Sequence, residues 1–212
     1  MAQIIPAILT ADERDYHDKL LIAEHVSDII QIDIIDGKFA DNTTIGVDII
    51  KKYLTVSMLE VQLMVVNLHE YVSELVKIEH VRRIIVPSEV EGGLTEAIYE
   101  IRKCDRQVGL SLNPETPLDK AAGILGQVDM LLLLGVNPGF GGQPFQEIVL
   151  EKIRQAKKMS SGLAIEVDGG VNFQTAKKIT TAGADFLAAN SVLFEASDFR
   201  GAYDALSKIA NS

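Results

Sequence analysis

The sequence predicts an α/β fold, a single (β/α)8 TIM barrel spanning residues 1–212, on three observations. Short β-rich apolar runs alternate with longer amphipathic segments along the whole chain, the pattern of parallel strands crossed over by helices. Eight such runs occur, and no Pro/Gly/Ser-rich linker or change of composition separates them into two domains. Each strand–helix unit then has about 26 residues, near the small end for a closed barrel. An open doubly wound sheet is the rival, and it would leave two edges with no spare segment to cover them.

Taken in order, the strands are expected at 4–9, 29–35, 59–65, 83–87, 108–112, 130–136, 163–167 and 186–189. In the second, alternation puts Gln31 and Asp33 on one side and Ile32 and Ile34 on the other, so two polar side chains face the barrel interior. The sixth opens as an unbroken apolar run from Met130 to Leu134, suited to burial on both faces. It continues into a loop that Pro138, Gly139, Gly141 and Gly142 free to wrap a ligand. Helical segments fill the gaps. Tyr16, Leu20, Ala23 and Val26 recur at three- and four-residue spacing in the first helix, as do Phe199, Ala202, Leu206 and Ile209 in the last. Asn172 is the expected N-cap of the helix carrying Phe173, Ala176 and Ile179, and Gly183 its C-terminal stop.

Thirty acidic against twenty basic residues, a formal net charge of -10, argue against a nucleic acid or an anionic membrane surface as partner. A small anion is still compatible, because backbone N–H groups hold a phosphate whatever the global charge. The single Cys104 makes no internal disulfide and has no catalytic partner nearby, the N-terminus lacks a signal-peptide pattern, and a cytoplasmic setting is expected. No apolar stretch is long enough to span a membrane.

Chemistry in such a barrel sits where strands end and helices begin. That filter selects Asp33 and Asp36 after strand two, Gln62 on strand three, Asn113 after strand five, the glycine-rich loop after strand six, Asp168 after strand seven, and Asn190 with Ser191 after strand eight. A buried carboxylate is costly unless it is paired, which favours function for Asp33 and Asp168. Asp36, next to Gly37, is read more simply as a turn former. His17, His25, His69 and His80 fall in helices or their ends, away from the strand C-termini, so a histidine-rich metal site is not expected. The loop after strand six, Gly169-Gly170 and Asn190-Ser191 converge on one edge of the barrel, where phosphate is usually held.

Five segments, Pro6-Ala-Ile-Leu-Thr-Ala-Asp12, Ile32-Asp-Ile-Ile-Asp-Gly-Lys-Phe39, Leu112-Asn-Pro-Glu-Thr-Pro117, Val136-Asn-Pro-Gly-Phe-Gly-Gly-Gln143 and Glu166-Val-Asp-Gly-Gly-Val171, resemble the ribulose-phosphate 3-epimerase family. The resemblance implies an isomerase of carbohydrate metabolism, a pentose-phosphate epimerase. It would interconvert D-ribulose 5-phosphate and D-xylulose 5-phosphate, or a related pentulose or hexulose phosphate, by moving a proton at C3. It makes Asp33 and Asp168 the catalytic pair, acting on opposite faces through an enediolate. It assigns phosphate binding to Gly139, Gly141, Gly142, Gly169, Gly170, Asn190 and Ser191, and substrate contacts to Gln31, Gln62 and Asn137. It also implies a homo-oligomer and no nucleotide cofactor.

The family ordinarily binds a divalent metal through two histidines and the same two aspartates, and the histidine positions here are Gln31 and Gln62. A metal, if present, would be held by Asp33, Asp168, Gln31 and Gln62. Amide oxygens suit magnesium or manganese better than zinc, so a tight zinc site is not expected. Without a metal, Gln31 and Gln62 are expected to turn their NH2 groups toward the enediolate oxygens. Ala7 stands where the family has serine, Lys38 follows Asp36-Gly37, and Asn190 stands where glycine is usual. These changes keep a second reading open, a non-catalytic or weakly active sugar-phosphate-binding homologue. A third, a lyase using Lys38, is disfavoured because that lysine falls in a polar loop.

Overall fold

The computed structural model describes residues 1–212. Eight parallel strands close into a barrel in the order of the chain. They are β1 (Gln3–Ile8), β2 (Ile29–Ile35), β3 (Met58–Met64), β4 (Val81–Pro87), β5 (Gln107–Leu112), β6 (Met130–Leu134), β7 (Ala164–Asp168) and β8 (Phe186–Ala189). The helices are α1 (Glu13–Ala23), α2 (Val47–Lys52), α3 (Leu68–Leu75), α4 (Leu94–Lys103), α5 (Ile148–Met159), α6 (Ala176–Ala182), the short α7 (Ser191–Phe194) and α8 (Phe199–Ala210). No helix is long and apolar enough to cross a membrane.

Alternation along the strands sorts the core into two parts. Ile32, Ile34, Val61, Leu63, Leu110, Leu131, Leu133, Ile165 and Val167 point outward and join the helices in one large apolar cluster. Ile85, Met130, Leu132 and Leu134 form a smaller cluster inside the barrel, with Ala164 and Phe186 packed against it. Tyr16, Leu20 and Ala23 are the buried face of α1, whose N-terminus is capped by Asp12 accepting from the Asp15 N–H at 2.8 Å. Val26 lies in the turn beyond that helix. In α8 the face is Ala202, Leu206 and Ala210, with Phe199 and Ile209 half-buried beside it.

Three expectations change. The β5–β6 crossover has no α-helix, only two 3-10 turns at Leu118–Lys120 and Leu125–Gln127. Pro114, Pro117, Gly123 and Gly126 break the segment before a helix can propagate. It is pinned instead by Lys152 of α5, whose Nζ donates to the carbonyls of Asn113, Pro114 and Thr116 at 2.7–2.9 Å. Second, β6 stops at Leu134, because Gly135 bonds to the Asp168 carbonyl through its N–H and to the Gln146 N–H through its own carbonyl. Third, Asn172 does not cap α6 directly. Its Oδ1 accepts from Gln174 and Thr175 in a preceding turn, α6 starts at Ala176, and Phe173 is left exposed, whereas Gly183 ends the helix at φ +119° as expected.

Candidate active site

A cavity open to solvent on one side lies at the C-terminal end of the barrel. Asp33 at the end of β2 and Asp168 at the end of β7 both line it. So do Asn137, Gly139, Gly141, Gly142, Gly169, Gly170, Asn190 and Ser191, and the structure thus brings together ten of the twelve site residues expected from sequence. Gln31 and Gln62 are the other two. Both are fully buried and lie off the cavity surface.

Register explains that placement. Asp33 pairs with Gln62 across β2 and β3, and Gln31 sits two residues earlier on the same inward-facing row. Gln31 Nε2 donates to Asp33 Oδ1 at 2.7 Å and to Gln62 Oε1 at 2.9 Å. This chain of hydrogen bonds leaves Gln31 Oε1 and Gln62 Nε2 without partners, each at a cost of about 1–3 kcal/mol.

Electrostatics push both aspartates the same way. Burial raises the Asp33 carboxyl well above the usual carboxylate range, the charge on Asp168 raises it further, and the Gln31 hydrogen bond works against both. Asp168 is raised to about 6, first by burial, with the Gln31 amide and Gly169 N–H lowering it and Glu60 raising it. Two carboxyls so placed favour a state with one protonated and one ionised.

A charged layer lies beneath them. Glu60, Arg83 and Glu166 are buried inside the barrel, and Arg83 Nη1 bonds to Glu60 with Glu166 3.9 Å away. Arg83 also donates to Gln107 Oε1 at 3.0 Å and lies over the Phe186 ring. Burial raises Glu166 well above its ordinary value, the charge of Glu60 adds to this and Arg83 works against it, and both Glu166 carboxyl oxygens lack a hydrogen-bond partner. Sequence reasoning passed over this trio, although Glu60 and Gln62 belong to the same alternating row as the residues it selected.

The glycine-rich end of the cavity carries no lysine, arginine or histidine. At Gly135 and Gly170 the loop backbone is packed too closely for a side chain. A Cβ on Gly135 would stand 2.2 Å from the Gly169 carbonyl oxygen, and one on Gly170, itself at φ +70°, would stand 2.7 Å from Phe145 Cα. The β6 loop is braced by Gln143 Nε2, which donates to the Asn137 and Phe140 carbonyls at 2.8 Å, and by Gln146 Nε2 on Asn137 Oδ1 at 3.1 Å. Asn42 Nδ2 ties it to the β2 loop through the Gly139 carbonyl. Leu9, Met64, Leu134, Val136 and Ala188 supply an apolar wall that was not anticipated; Met64 continues the row of Gln62 and was findable by alternation.

Other candidates serve structure. Asp36 Oδ1 accepts from the N–H groups of Lys38 and Phe39, and its Oδ2 from Val66, which staples the loops after β2 and β3. Burial raises its pKa, but these three bonds outweigh it and hold the carboxyl below its ordinary value. Asn113 donates its backbone N–H to Glu89 and does not reach the cavity, and Lys38 is exposed away from it. None of the four histidines lines the cavity.

The implied divalent metal does not fit these residues. Gln62 Oε1 is consumed by Gln31, and Gln31 presents N–H rather than a lone pair to Asp33, leaving one free amide oxygen beside two carboxylates. Zinc prefers nitrogen or sulfur ligands and harder cations want about six oxygens. No group of three or more His, Cys, Asp or Glu side chains is placed to hold a metal ion.

Residues 3–194 match the sequence pattern of the ribulose-phosphate 3 epimerase family. A protein named ribulose-phosphate 3-epimerase from Bacillus subtilis is 36% identical, with all of both chains covered. One from Synechocystis is 35% identical over 99% of this chain and 93% of its own length. Among solved structures, a 3-hexulose-6-phosphate synthase from Salmonella typhimurium superposes with a TM-score of 0.74 at 16% identity, covering 99% of this chain and 98% of that one. An orotidine 5'-monophosphate decarboxylase from Sulfolobus solfataricus gives 0.71 at 16%, covering 100% and 98%. These two speak for the fold alone.

Proposed function

The chain belongs to the ribulose-phosphate 3-epimerase family, and from that premise we propose that it epimerises a ketose phosphate at C3, with D-ribulose 5-phosphate and D-xylulose 5-phosphate as the first pair to test. The observation that carries the reading is the pair Asp33 and Asp168, which enter one cavity from β2 and β7 with both pKa values raised. The ionised member takes the C3 proton, the electron pair moves into the C2 ketone as an enediolate, and the protonated member returns a proton to the opposite face. Direction decides which aspartate acts first. The turn leaves the two protonation states exchanged, and solvent restores them.

Backbone N–H groups of Gly141, Gly142, Gly169 and Gly170, with Asn190 and Ser191, hold the phosphate, and Asn137 meets the sugar. The apolar wall excludes water beside C3. We propose no metal-dependent step, because the donor set does not suit a cation. In heavy water the enzyme should place deuterium at C3 of ribulose 5-phosphate or a hexulose phosphate, and Asp33→Asn should abolish it. A protein that binds these sugars yet never exchanges the C3 proton would be the binding homologue, a reading supported by the replacement of both metal histidines.

A further inference from the structure

The orphaned atoms of Gln31 and Gln62 are opposite in kind. Gln31 uses its NH2 on Asp33 and on the Gln62 carbonyl, so Gln62 must turn its own NH2 elsewhere. What remains is one acceptor, Gln31 Oε1, and one donor, Gln62 Nε2, both fully buried and on neighbouring strands. The expectation that both amides present NH2 to substrate is corrected by this chain: only Gln62 has hydrogens to offer.

Resting on the epimerase reading above, we propose that this donor–acceptor pair stands in for a cation and recognises the vicinal hydroxyketone of the substrate. Gln62 Nε2 donates to the C2 carbonyl oxygen, and Gln31 Oε1 accepts from the C3 hydroxyl. A hydroxyketone presents one acceptor beside one donor and matches the pair without rearrangement. A cation draws lone pairs from every ligand and finds an N–H where it needs one. As the C3 proton leaves, negative charge grows on the C2 oxygen, so the Gln62 hydrogen bond strengthens where the reaction demands it. Neither amide reaches the cavity surface while Asp33 rests on Gln31. For substrate to meet these atoms the Asp33 carboxyl must leave Gln31, which brings C3 against the group that exchanges its proton.

Calorimetric titration of chelator-treated protein with D-ribulose 5-phosphate, D-ribitol 5-phosphate and inorganic phosphate tests this. The ketose should bind about 10-fold tighter than the alcohol with no metal present, the ratio expected for one matched hydrogen bond. Gln62→Met, similar in shape but without a donor, should lose that preference and lower the rate of C3 exchange about 100-fold. Gln62→Glu, an acceptor in the same place, should behave alike. Unchanged affinity for inorganic phosphate shows that either variant is folded. The proposal is overturned if the preference appears only when a divalent metal is added, or if Gln62→Met keeps it, as it would if the pair merely holds a water. Preference without any C3 exchange would leave this recognition standing and remove the epimerase reading instead.

Discussion

Asn42 Nδ2 donates to the Gly139 carbonyl at 2.6 Å, which ties the loop after β2 to the loop after β6 that lines the cavity. One such bond contributes about 1 kcal/mol. Asn42→Ala should therefore raise KM for a ketose phosphate about five-fold while kcat and the melting temperature hardly move. Steady-state kinetics with a thermal melt decides it; an unchanged KM means that the loop closes without this tie.

Activity should show a bell-shaped pH dependence. Below about 6 the ionised member of the pair is lost as Asp168 takes up a proton, and in base the protonated member is lost as Asp33, raised well above the carboxylate range, gives one up. The acidic limb should lie near 6 in kcat/KM. A rate that is flat from pH 5 to pH 8 would contradict a two-aspartate mechanism.

Asp168 also links pH to stability. Its folded pKa lies above that of the unfolded chain, so the native state binds the extra proton between roughly 4 and 6. Its contribution is complete below the lower value and is lost as pH rises through about 6. Asp168→Asn keeps the shape without the charge. It should be the more stable protein at pH 8, by on the order of 2 kcal/mol, while catalysis falls by about 10²–10⁴. Urea denaturation at pH 8 is the measurement, and a variant less stable than the parent would refute the charge argument.

Arg83 is the cation inside a barrel interior that buries Glu60, Glu166 and Asp33. Arg83→Met should cost about 3–5 kcal/mol by leaving Glu60 buried without its partner. Replacing the trio together, with Glu60→Leu and Glu166→Met added, should recover most of that loss, since apolar groups of similar volume serve a buried site as well as an ion pair. Denaturant midpoints of the single and triple variants compare the two directly.

The barrel was legible because strand periodicity is a local property repeated eight times. The place of Asp33 and Asp168 on the cavity was legible because each ends an apolar strand, and the C-terminal strand ends of such a barrel face its open site. The missing α-helix between β5 and β6 was equally visible in Pro114, Pro117, Gly123 and Gly126, but the regularity of the neighbouring units outweighed it. The roles of Gln31 and Gln62 were not legible. Which end of an amide faces which neighbour depends on the register of β2 with β3 and on what Asp33 accepts, and both are relations across the sheet. The trio of Glu60, Arg83 and Glu166 was hidden for the same reason: its members are 23 residues or more apart until the strands align.

Six of the seven crossovers shield the sheet with an α-helix, and the one before β6 does so with coil fastened by the ammonium of Lys152. The barrel wall is thus covered unevenly, by α-helices around most of its circumference and by two 3-10 turns along one seam. That seam borders the strand whose loop carries Gly139 to Gly142.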